Sequence, residues 1–90
     1  MRFEWDEDKR QSNIEKHGLD FIRAARLFDG RPRLDAASPR GREHRILSIG
    51  ELEGVIVAVA WTQRGEDACR IISVRRARDE EKRQYLQTLG

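Results

Sequence analysis

Residues 55–62, VIVAVAWT, run without a polar break until the closing threonine. A strand wetted on one face alternates apolar and polar residues, so this run reads as a central strand covered on both faces. The apolar cover must come from elsewhere in a chain of 90 residues. That length makes one domain, residues 1–90, with a limited core and a small stability of its own.

The flanking stretches supply partners for this strand. EHRILSIG, residues 43–50, alternates, with Arg45, Leu47 and Ile49 facing one way and His44, Ile46 and Ser48 the other. ELEG and QRGED read as turns on either side of the central run. ACRIISV, residues 68–74, is the last strand. Unbroken alternation through its end puts Ile71, Ser73 and Arg75 on one face and Arg70, Ile72 and Val74 on the other.

Helices are predicted at both ends. Phe-Glu-Trp at residues 3–5 reads as a short extended opening, followed by a helix capped by Asp6 and closed by Gly18. Its first turn holds Glu7 and Asp8, and its last turn holds Lys16 and His17, as the helix dipole favours. Apart from Ile14 it has little apolar content, so only slight core contact is expected. A second helix starts at Asp20, with Phe21, Ala24, Ala25 and Phe28 as its apolar stripe. Residues 31–42, RPRLDAASPRGR, predict a loop with a short edge strand around Leu34. A last helix spans Asp79 to Leu89, with Tyr85, Leu86 and Leu89 as its apolar stripe. The fold class is α+β: two N-terminal helices, an antiparallel meander of three to four strands, and a C-terminal helix.

Composition narrows the function classes. No apolar run approaches the length of a membrane span, and the opening MRFEWDED has no signal-peptide core, so a cytoplasmic protein is expected. Cys69 is the one cysteine, which excludes an internal disulfide or a cysteine-cluster metal site. The net charge of +2 is modest, but its distribution is uneven. Between Arg31 and Arg78 ten arginines face six acidic residues, a balance of +4, and all three lysines lie outside. Arginine's planar fork suits phosphate. A GC-rich genome also enriches arginine, and composition alone does not separate the two explanations.

RIISVRRA, residues 70–77, concentrates this charge where a strand runs out. Such a cluster needs counter-charges, water or a ligand. There is no Gly-rich phosphate loop, no HExxH and no cysteine pair, and His17 and His44 are too few for a metal site without carboxylates. Cys69, mid-strand, reads as a small buried hydrophobe. Arg45, Arg64, Arg70, Arg75 and Arg76, on strands or turns, form a set that can hold a nucleic-acid backbone and stabilise the phosphorane of 2′-hydroxyl RNA cleavage. Glu81, His17, His44 and Tyr85 are the candidate proton carriers. Each also has a plain structural reading: a helix-start acid, a helix-end cation, an exposed strand residue and a core aromatic.

The order of motifs adds to this. F-E-W-D, then Asn13 and K-H-G, then the F-x-x-A-A-x-x-F helix resemble the opening signature of the BrnT family. Arg45–Gly50, Val57–Gly65 and Arg70–Ala77 are similar to its later strand motifs, so the resemblance covers about residues 3 to 85. It implies a RelE-like ribonuclease toxin of a type II toxin–antitoxin pair; with no metal-ligand constellation in the sequence, no cofactor or metal is expected. The catalytic set is then Arg64, Arg75, Glu81, Tyr85 and His17, with Arg45, Arg70, Arg76 and Lys16 on RNA. The implied partner is a BrnA-like ribbon-helix-helix antitoxin in a heterotetramer that binds operator DNA, with an acidic segment covering Arg75 and Arg76. Many relatives carry threonine where Arg78 stands, so the last helix is expected to start at Asp79. The competing class is a non-catalytic module, a degenerate toxin serving as scaffold or co-repressor. Direct DNA binding is a third, opposed by basic residues that sit on strands and turns rather than along a helix.

Overall fold

The apolar run does occupy the centre of a sheet. The computed structural model describes residues 1–38 and 44–89. In it β4 (Val55–Arg64) lies between β3 (Arg45–Leu52) and β5 (Ala68–Arg76). Beyond β3 is β2 (Leu34–Ala37), and beyond β5 is β1 (Arg2–Glu4). Residues 39–42 of the predicted loop, and Glu43 at the head of the predicted third strand, lie outside the described residues. No helix among the described residues is long and apolar enough to cross a membrane.

Two expectations about the sheet are corrected. Strands β2 to β5 form the antiparallel meander, but β1 adds a parallel edge, with Phe3 beside Cys69, so the sheet is mixed and has five strands. The opening segment is too short for periodicity to distinguish a paired strand from an extended lead-in. The second correction is a β-bulge. Ala60 faces Ser73 but Trp61 faces Ile71, so Ile72 is the extra residue and the alternation of β5 is reset there. Ile71 and Val74 therefore share one face, while Arg70, Ser73 and Arg75 share the other. The bulge is what carries Arg70 round to the face of Arg75.

Each face of the sheet is covered differently. On one, Phe21, Leu27, Val57, Val59, Trp61, Cys69, Ile71 and Val74 pack together beneath the N-terminal helices. On the other, Ile49, Ala58, Ala77 and Tyr85 make a smaller cluster under α3 (Asp79–Leu89). Alternation in β3 is as expected, with Ile46 in the first cluster and Leu47 and Ile49 in the second.

The predicted second helix is shorter than its stripe suggested. α2 (Phe21–Ala24) tightens into a 3-10 turn over Ala25–Phe28. A three-residue period replaces 3.6, so Phe21, Ala24 and Leu27 are fully buried and Phe28 moves to the margin of the core. There Phe28 packs edge-on against Trp61 at 5.2 Å, with the Arg33 guanidinium 4.7 Å over its ring.

α1 (Glu7–His17) has the caps expected of it: Asp6 accepts from the Asp8 and Lys9 amides, and Gly18 takes the left-handed conformation at φ 67°. Its apolar contribution is small, and a polar residue anchors it instead. Asn13 is 6% exposed. Its amide donates to the carbonyls of Leu19 (2.9 Å) and Val74 (2.8 Å), and its oxygen accepts from the Val74 N–H (3.1 Å). β1 stops at Glu4, opposite Arg70, and among the described residues no strand pairs with the outer edge of β5 past that point. At Val74, Asn13 satisfies the backbone groups a neighbouring strand would have taken.

Candidate functional site

The end of β5 and the start of α3 are locked together by one carboxylate. Helix α3 begins at Asp79, as the arginine at position 78 predicted. Arg78 has no side chain able to accept from the first-turn amides, but Glu81, three residues on, reaches back and accepts from the Arg78 N–H at 2.8 Å. That is the reciprocal half of a capping box. The same carboxylate takes both terminal nitrogens of Arg75, at 2.7 and 3.0 Å. Arg75 thus finds its counter-charge within the chain, and no antitoxin segment is required for it. The Arg75 hydrogen bonds hold the Glu81 carboxyl below the usual carboxylate range, outweighing the opposite effect of burial. Arg75 is raised in turn, chiefly by Glu81.

This pair forms one wall of an open groove of about 410 Å³ on the α3 side of the sheet. Arg45 and Leu47 come from β3, Ala60 from β4 and Ser73 from β5, with Arg78 and Glu81 at the helix start. The floor is small, because Ala60 and Ser73 face each other across the strands. Three arginines against one carboxylate leave the lining at +2. The Arg45 Nε is buried without a hydrogen-bond partner among the described residues. A cationic trough of this kind is suited to a phosphodiester.

The comparisons agree with that chemistry. A family model described as "Ribonuclease toxin, BrnT, of type II toxin-antitoxin system" matches residues 5–81. The chain belongs to the BrnT family. The crystal structure of the Brucella abortus ribonuclease toxin BrnT is similar, with a TM-score of 0.68 and 38% identity. The match covers 88% of this chain and 99% of that one. No curated protein matches the chain.

As a BrnT-family chain it belongs with ribonuclease toxins of type II systems, and a toxin of this type has an antitoxin partner. The expected site residues divide into groups. Arg45, Arg75 and Glu81 meet in the groove. Lys16 and His17, at the end of α1, line a neighbouring depression that shares Ser73 with it. Arg64 does not join them. It lies six positions along β4 from Ala58, which pairs with Arg75, or about 20 Å of strand. Arg64 and Arg70 instead flank Glu4, at 3.4 and 3.7 Å. Arg76 pairs with Val57 and so lies on the face opposite Arg75. Tyr85 is 9% exposed and packs with Ile49, Ala58 and Ala77. His44 stands beside the groove, where its carbonyl accepts from the Thr62 hydroxyl at 3.1 Å.

Three residues of this region received no functional role from the sequence. In the sequence Arg78 stands out only as a residue that cannot cap, although Glu81 three positions later is the signal of the contact that joins both at the groove. Alternation sets Ser73 on the face of Arg75, as the structure has it, but a serine in a strand carries no sign of a site. Asn13 stood in the family signature, but a polar residue in a polar helix carries no sign of burial. Among the described residues, no three His, Cys, Asp or Glu side chains converge as metal ligands.

Proposed function

We propose that this chain is an endoribonuclease toxin that cleaves RNA in the groove between β3, β5 and α3. The ribose 2′-oxygen attacks the adjacent phosphorus and the bond to the 5′-oxygen breaks, leaving a 2′,3′-cyclic phosphate and a 5′-hydroxyl. Arg45 and Arg75 meet the charge that builds on the phosphorane. Glu81 positions Arg75 by fixing both ends of its fork. Glu81 gives both carboxylate oxygens to Arg75, so His17, across Ser73, carries the proton from the 2′-oxygen toward the leaving oxygen. The lining offers cations and hydroxyls, a donor set that suits a phosphate rather than a divalent ion, and the reaction needs no metal. Tyr85 keeps the helix on the sheet, and Arg64 serves outside the reacting centre.

The observation that carries this reading is the preset Arg75 fork beside Arg45 on a floor of small side chains. Purified protein in excess EDTA should degrade RNA, spare DNA of the same sequence and yield cyclic phosphate ends. Arg75→Ala and Arg45→Ala should each lower the rate about a hundred-fold, and Arg75→Lys should recover part of it. Folded variants that cleave at the parental rate would remove both arginines from the chemistry. An intact protein that binds its partner yet leaves RNA whole would make it a non-catalytic subunit. We further propose a BrnA-like ribbon-helix-helix partner that covers the groove in the cytoplasm. The two form a heterotetramer, and the antitoxin holds the operator DNA.

A further inference from the structure

We propose that Lys9 and Lys16 of α1 form a second phosphate subsite, reached from the groove by an RNA strand that crosses the free edge of β5 at Ser73. This rests on the reading of the groove as the site of RNA cleavage. The depression beside the groove, about 200 Å³, lies between α1 and that edge, and Lys9, Ser12, Lys16, His17 and Ser73 are among its lining. Ser73 also lines the groove itself, so the two hollows meet at one small side chain.

Three observations favour this path. Lys9, Ser12 and Lys16 are spaced three and four apart, so they share one face of α1, and no acidic residue joins them in the lining. Neither lysine has an ion pair among the described residues. The alternative direction, along the strands, leads to Arg70 and Arg64, whose charge is partly offset by Glu4 between them. Lastly, the crossing point is open and firmly placed. Among the described residues no strand pairs with the outer edge of β5 beyond Arg70, and Asn13 ties α1 to Val74, next in sequence to both Ser73 and Arg75. The lysines are thus held at a set distance from the scissile position, as a strand of regular phosphate spacing requires.

The test uses a short single-stranded 2′-O-methyl RNA, which binds but has no free 2′-hydroxyl to react. Its affinity is measured at several salt concentrations for four proteins: the parent, Lys9→Ala/Lys16→Ala, Arg64→Ala/Arg70→Ala and Arg75→Ala. The lysine variant should bind roughly tenfold more weakly, with a salt slope smaller by about 1.4, the value for two phosphate contacts on a single strand. The Arg64→Ala/Arg70→Ala variant should lose less. A greater loss in that arginine variant than in the lysine variant overturns the path across β5. Unchanged affinity and slope in the lysine variant, with a loss in Arg75→Ala, overturns the subsite and leaves the groove standing. If neither the lysines nor Arg75 matter, the groove reading fails together with the subsite.

Discussion

At Arg75 the guanidinium spends its fork on Glu81, and at Asn13 a buried amide replaces a missing strand; both contacts lie at the end of β5 and both can be tested singly. Glu81 is depressed in the folded chain, while in the unfolded chain it titrates near its ordinary value of about 4.3. A depressed carboxyl contributes stability that is fully present above the unfolded value and is lost as pH falls through the folded one. Thermal stability should therefore decline on acidification below about pH 4, and Glu81→Gln should flatten that limb of the curve of Tm against pH. An identical acid limb in the variant would show that the pair adds nothing to the folded state. For Asn13, the relevant cost is what its loss leaves behind. Asn13→Ala orphans the Val74 N–H and carbonyl, at about 1–3 kcal/mol for each group that water does not reach. Asn13→Asp keeps an acceptor for the N–H but aims a second acceptor at the carbonyls of Leu19 and Val74. Urea denaturation should find the aspartate variant no more stable than the alanine one. Parental stability in Asn13→Asp would contradict the bonding assigned here.

Elements were legible where a single local rule decides them. The caps of α1 follow from Asp6 and Gly18, the centre of the sheet from the uninterrupted apolar run, and the start of α3 from a residue that cannot cap. Where two rules competed, periodicity alone was insufficient. The stripe of the second helix assumed 3.6 residues per turn, but the close approach of Leu27 to β3 selected a tighter turn. A Cβ on Gly50 would stand 2.5 Å from Leu27 Cδ1, so the glycine is what lets the 3-10 turn settle on the strand. In β5 nothing in the residues announces the bulge at Ile72, so alternation sets Ile71 rather than Arg70 on the face of Ser73 and Arg75. The β3–β4 turn shows a local conflict that the protein tolerates. Glu53 and Gly54 both have positive φ, at 52° and 82°, as a two-residue type I′ hairpin turn demands. Glutamate fits that conformation poorly, and its compensation is two exposed ion pairs, to Arg23 at 3.3 Å and Arg26 at 3.4 Å. Such pairs contribute only a few tenths of a kcal/mol each, whereas the left-handed conformation costs about 1 kcal/mol. Glu53→Asn should therefore raise Tm by a few degrees. A lower Tm in calorimetry would mean that the two arginines hold the turn more strongly than exposed pairs do.

For the whole molecule, the arrangement of charge matters more than its sum. Apolar cover is unequal: the N-terminal helices close one face of the sheet, whereas α3 closes only part of the other and leaves the arginine groove beside it. An antitoxin that silences the proposed chemistry has the same surface to cover as the RNA. Arg75 already has Glu81 beside it, so the groove charges with no acidic neighbour in the lining are those of Arg45 and Arg78. Burying those two without counter-charge would be costly, so the covering segment should carry acidic side chains. Two outcomes are expected when the toxin is purified with its antitoxin. The complex should not bind the 2′-O-methyl RNA that the free toxin binds, because both ligands need the groove. Its dissociation rate should change when Arg45 and Arg78 are replaced by alanine, since truncating one side of a desolvated charge pair acts mainly on the off-rate. Size-exclusion chromatography with labelled RNA distinguishes the cases directly. A stable ternary species of toxin, antitoxin and RNA would place the antitoxin elsewhere on the molecule and require inhibition by some means other than occupation of the groove.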